Sequence, residues 1–164
     1  MIYFLTLLSI LIRLLPHAPN FAPLGALALL AGMTGAKRKV WLPLAAVFAT
    51  DLFLGFYSGL IWVYLSYGLL FFTGYLTRQA SGMKKSMVIP VAGSVLFYLV
   101  SNFGVWVSGS MYPPTLAGLG QCYAAALPFF RNTAVSDLVY FNAFVALAAL
   151  LTKFSPAKFI LKKA

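Results

Sequence analysis

The sequence predicts an all-α membrane protein, a compact bundle of about six transmembrane helices with a structured outer loop. Composition, the spacing of apolar runs and the placement of basic residues all point to it. Of 164 residues, 62% are hydrophobic and 9% charged, whereas a water-soluble domain is nearer half apolar and a quarter charged. Such a chain lacks the polar groups to cover a water-facing surface and needs lipid as its solvent. A span takes about 20 apolar residues, and the apolar runs fall at 1–14, 22–36, 40–57, 60–78, 86–108 and 133–152. No linker divides them, so residues 1–164 read as a single integral membrane domain.

The first run, MIYFLTLLSILIRLLPH, has neither a basic segment before it nor a small-residue cleavage site after it. It reads as the first helix rather than a cleaved signal. Pro16, Pro19 and Pro23 break the chain behind it, because proline removes a helical donor. The first two runs are short and form either two spans or one re-entrant hairpin over residues 1–36. Gly55 and Gly59 turn the chain between the third and fourth runs, and Pro113 and Pro114 end the fifth. Segment 109–132 is longer than a plain connector. Its aromatic, Ala-rich composition predicts an ordered lid, with a short helix within 117–127.

Orientation follows from the basic residues. Lys37, Arg38 and Lys39 follow the second run, Arg78, Lys84 and Lys85 the fourth, and Lys153, Lys158, Lys162 and Lys163 the sixth. Six spans place all three clusters on one face, which the positive-inside rule makes cytoplasmic, together with both termini. Arg13 and Arg131 fall on the outer side. A net charge of +10 suggests nucleic acid in a soluble protein. These short clusters between apolar runs exclude it, and no nucleic-acid partner is expected.

Nothing argues for an enzyme, a cofactor or a metal. The single cysteine, Cys122, has no second thiol to pair with and no CxxC or Cys/His pattern for zinc. HExxH, P-loop and GxGxxG motifs are absent, as is any readable nucleophile–base pair.

The remaining polar residues converge on the outer half. Arg13, His17 and Asn20 close the first helix and its turn. Asp51 ends the third run, and Asn102 and Trp106 lie one turn apart near the end of the fifth. Tyr112 and Cys122 sit in the outer loop, and Arg131, Asn132 and Asp137 open the sixth run. Ionisable groups at membrane depth are costly unless paired or facing a cavity, which makes this set a ligand-site hypothesis. Structural alternatives stand beside it. Asp51 can pair with Arg13, Arg131 can pair with Asp137, and Trp and Tyr populate membrane interfaces as anchors. The second run is rich in small residues, including Ala22 and Ala26. Such faces serve either internal packing or docking of another membrane helix.

PNFAPLGALALLAG, TDLFLG, SNFGVW and YPPTLAGLGQCYAAALPFF, followed by NT and SDLVY, resemble an uncharacterised bacterial membrane-protein family over roughly 13–145. That family is similar to the substrate-binding S components of energy-coupling-factor (ECF) vitamin transporters. The resemblance implies a six-helix bundle in the bacterial inner membrane that binds a vitamin or similar micronutrient near its outer face. It also implies a transmembrane coupling subunit with ATPases as partner, contacted by an Ala-x-x-x-Ala face whose letters Ala22 and Ala26 match. The alternative is an accessory or assembly subunit without a small ligand, its polar cluster a structural knot.

Overall fold

The computed structural model describes residues 1–109 and 111–154. The described residues fold into six α-helices and no strand. These are α1 (Ile2–Leu14), α2 (Leu24–Met33), α3 (Trp41–Leu54), α4 (Leu60–Leu76), α5 (Ile89–Val107) and α6 (Leu116–Phe154). A 3₁₀ turn at Lys37–Val40 precedes α3, and a π turn at Lys84–Val88 precedes α5. Lys158, Lys162, Lys163 and the C-terminus lie outside the described residues.

The centre of the bundle is its shortest helix. α2 touches each of the other five, and eight of its ten residues are buried. It carries no polar face because every side meets another helix. Its small residues let those neighbours come close. A methyl added to Gly32 would overlap the Phe71 backbone carbonyl, and one added to Gly74 would overlap that of Leu29. α2 and α4 therefore meet backbone to backbone, as small residues permit. Leu24, Leu27, Leu29, Leu70, Phe71 and Phe141 fill the rest of this core.

Serine and threonine fit into the apolar helices by bonding their own backbone. Thr6 donates to the Ile2 carbonyl at 2.9 Å, Ser9 to that of Leu5 at 2.8 Å and Ser66 to that of Trp62 at 2.7 Å. Each hydroxyl uses the carbonyl one turn back, so burial leaves no donor unmet.

The outer surface is apolar instead. Phe53, Ile61 and Leu76 are each more than 70% exposed, and Tyr3, Leu52, Leu99 and Leu127 are exposed as well. Two segments, Lys84–Val107 and Leu116–Leu151, are long and apolar enough to cross a membrane. The helices Ile2–Leu14, Leu24–Met33 and Leu60–Leu76 are apolar but shorter.

The largest departure from expectation is the segment before residue 133. From Leu116 onward it is the first part of a single 39-residue helix. The Ala-rich stretch carries helix propensity straight into the sixth run. Pro128 does not stop it, since proline in a packed apolar helix forfeits one hydrogen bond that neighbouring contacts can offset. The helix is about 58 Å long at the standard rise, well beyond a hydrocarbon core of about 30 Å. α5 runs antiparallel alongside it. Tyr98 Oη donates to the Tyr123 carbonyl at 2.7 Å, and Tyr123 Oη to that of Leu99 at 2.8 Å. Lower down, Asn142 Nδ2 donates to the Ser86 carbonyl at 2.8 Å.

Candidate functional site

A cavity of about 400 Å³ opens where α1 ends, α2 begins and the α3–α4 connection turns. α5 and α6 close it from the other side. All of this lies at the end of the bundle opposite Lys37, Arg38 and Lys39 and the Arg78–Lys85 connection.

Each wall follows from local sequence. Arg13 stands in the last turn of α1, and the proline-broken connection behind it carries His17 and Asn20 to the rim. Asn20 adopts φ 60°, a left-handed conformation that asparagine tolerates better than most residues. The α3–α4 connection turns on Gly55 (φ 95°) and Gly59 (φ 84°), angles open to glycine, and presents Tyr57 and Ser58. Desolvation, and then the Asp51 carboxylate, raise the Tyr57 hydroxyl above its ordinary pKa. It is thus a neutral donor at physiological pH. On α5, Phe97, Ser101 and Val105 share a face, with Tyr98 and Asn102 beside them. On α6 the lining residues Ala126, Phe130, Thr133 and Asp137 recur every three or four positions, one stripe of a helix.

The two acids of the chain are each 1% exposed and sit in different settings. Asp51 Oδ1 lies 2.9 Å from Arg13 Nη2, and Tyr64 Oη donates to its Oδ2 at 3.2 Å. Arg13 also donates to Thr50 Oγ1 and, at 3.3 Å, to the Val47 carbonyl. The guanidinium is thus clamped onto α3, and Asp51 lies behind it rather than on the cavity wall. Arg13–Asp51 is the ion pair among the described residues.

Asp137 faces the cavity without a cation. Ser94 Oγ donates to its Oδ2 at 2.7 Å. The carboxylate packs on the first turn of α2, so tightly that a methyl on Gly25 would overlap it. The Ala26 backbone amide is its contact there. A helix begins with unsatisfied N–H groups and a partial positive charge. The N-cap of α2, Pro23, supplies no side-chain cap, and Asp137 fills that role from α6.

Of the residues singled out from sequence, Arg13, His17, Asn20, Asn102 and Asp137 meet in this cavity, and so does Ala22. The others do not line it. Trp106 Nε1 donates to the Pro113 carbonyl at 3.0 Å and pins the α5–α6 turn. Tyr112 is half-buried in that turn. Cys122 is buried, its thiol 3.4 Å from the Asn102 carbonyl. Asn132 Nδ2 donates to the Pro19 carbonyl at 3.0 Å, tying α6 to the α1–α2 connection. Arg131 is exposed and does not pair with Asp137. Ala26 is wholly buried inside the bundle. Among its described residues, segment 109–132 forms no lid: its end, Ala126, Phe129 and Phe130, reaches the cavity as wall.

Sequence reasoning missed the aromatic lining. Tyr67 and Phe97 pack at a tilt with ring centroids 5.1 Å apart, Tyr98 and Phe130 likewise at 4.9 Å, and Tyr57 and Phe129 line the same space. Helical spacing was the available signal. Tyr98 precedes Asn102 by four positions, and Phe130 precedes Asp137 by seven.

No curated protein and no solved structure matches the chain. A family of unknown function, DUF6580, matches over residues 1–158, nearly the whole length, and the chain belongs to that family.

Proposed function

We propose that this protein is a substrate-binding or transporting membrane subunit for a vitamin or similar micronutrient, akin to an ECF S component. The observation that carries this reading is the cavity itself. It is largely apolar, walled by aromatic side chains, and fitted with a few placed polar groups. Small-molecule sites have this form and run from about 300 Å³ upward. The apolar exterior supports insertion of all six helices, since soluble monomers rarely expose large continuous apolar surface. The basic connections at the far end support cytoplasmic termini, with the cavity toward the outside. No nucleotide-binding motif occurs in the chain, so ATP-driven uptake needs a partner that supplies it.

Mass spectrometry of small molecules that co-purify with the detergent-solubilised protein tests the reading. A stoichiometric ligand, lost in Asn102→Leu and retained in Trp106→Phe, is the expected result. A ligand indifferent to Asn102 moves the site elsewhere. Reporter fusions after Lys39 and Lys85 should read cytoplasmic, and one at Gly118 external; reversal of any of these overturns the topology.

A further inference from the structure

We infer that the cavity selects a cationic ligand, an organic ammonium or other positively charged nitrogen compound carrying an apolar or aromatic body. The inference rests on the proposed binding function and adds the charge of what is bound.

Three features of the wall carry it. The first is the charge balance. Arg13 and Asp137 both line the cavity. The Arg13 charge is met by Asp51 at 2.9 Å and held by Thr50 and the Val47 carbonyl. Asp137 has a hydroxyl and a helix terminus for partners, and no cation among the described residues. Counting Arg13, Asp51 and Asp137 as ionised, the charges held within the bundle beside the cavity are one positive and two negative, Arg131 being exposed outside it. A positively charged ligand closes that balance, whereas an anion worsens it. A buried carboxylate met only by dipoles is a costly arrangement unless something else completes it.

The second feature is the lining. Tyr67 with Phe97 and Tyr98 with Phe130 form two tilted ring pairs, and Tyr57 and Phe129 add two further rings. Aromatic rings attract cations through their quadrupoles, most strongly where water is excluded, and cages of such rings hold ammonium groups. Phosphate or carboxylate ligands call for the opposite wall, with unpaired guanidinium or free amide donors. Here the guanidinium is already engaged, and Asp137 occupies the α2 N-terminus, where an anion would otherwise dock.

The third feature is the Gly25 notch. The absence of a side chain at Gly25 lets the Asp137 carboxylate sit against α2 while still bordering the cavity. The acid is held in place and not free to swing away from a ligand.

The test uses three probes of nearly equal shape and different charge: 2-phenylethylammonium, 2-phenylethanol and phenylacetate. Binding to the purified full-length protein is read by saturation-transfer NMR and calorimetry. The cation should bind about tenfold more tightly than the alcohol, and phenylacetate more weakly still. Asp137→Asn should bring the cation down to the level of the alcohol and leave the alcohol unchanged. If that variant fails to fold, Phe130→Leu provides the second arm. It keeps the wall apolar and should weaken the cation several-fold more than the alcohol. Preference for the alcohol or phenylacetate overturns the charge assignment and leaves the binding function standing. Absence of saturable binding by all three overturns the charge assignment and the binding function together.

Discussion

Asp51 and Asp137 are equally buried, yet the chain treats them in opposite ways. Asp51 meets an arginine, and Arg13, Thr50, Tyr64 and the Val47 carbonyl close into an ion-paired knot joining α1, α3 and α4. Asp137 meets Ser94 and the start of α2, and beyond them a cavity. Burial alone therefore does not mark a functional acid. What distinguishes the two is whether the protein itself supplies the countercharge. The first arrangement is complete without a ligand and explains how the bundle end is held. The second has no countercharge among the described residues and borders an open cavity.

The sharpest way to break this comparison is to remove the cation from the knot. Arg13→Met strands a buried carboxylate and should destabilise the protein by about 3–5 kcal/mol, measured by denaturant unfolding in detergent. The double variant Arg13→Met/Asp51→Asn should recover most of that loss. A single-variant loss below about 1 kcal/mol would place the pair among ion pairs of little energetic weight.

At the other acid, Gly25→Ala should cost about 1–3 kcal/mol, since the new methyl overlaps the carboxylate in a packed site. Asp137→Ala in the same chain should relieve part of that cost. A Gly25→Ala cost unchanged by the second substitution would show that the glycine serves backbone packing and not the acid.

The smallest effect is expected for Asp137→Asn. It keeps the shape, retains an acceptor for Ser94 and removes a buried charge that has no cation. Stability should change by no more than about 1 kcal/mol. A loss comparable with that of Arg13→Met would make Asp137 a second structural anchor and erase the distinction.

Much of this was legible before any coordinates. The helical class, the apolar runs and the basic connections follow from composition and spacing, because a chain this apolar has few ways to hide its backbone. Arg13 with Asp51 was legible as well, since buried charges seek partners and few were on offer. The extent of α6 was not. Pro128, Arg131 and Asn132 resemble a helix start, and only packing against α5 and the α1–α2 connection decides that the helix runs through them. The cavity was half legible. Polar residues are sparse in this sequence and their convergence is visible. Aromatic residues are plentiful, and nothing in a single sequence separates the rings that line a cavity from those that face outward. Trp106 illustrates this: its place one turn from Asn102 suggests a lining ring, and its indole instead bonds the Pro113 carbonyl.

The shortness of α2 bears on how such a protein is made. Ten residues of helix reach about 15 Å, half the hydrocarbon thickness. On the membrane reading, α2 is too short to be threaded across on its own hydrophobicity and must enter as part of a hairpin with α1. Its closest neighbour, the Gly74 face of α4, is synthesised some forty residues later. Until α4 arrives, α2 has no backbone groove to settle into, and until α6 arrives its first turn has no Asp137 to cap it. The middle of this protein thus waits on helices made after it, and a ribosome stalled before α4 should leave α1 and α2 extractable from the bilayer.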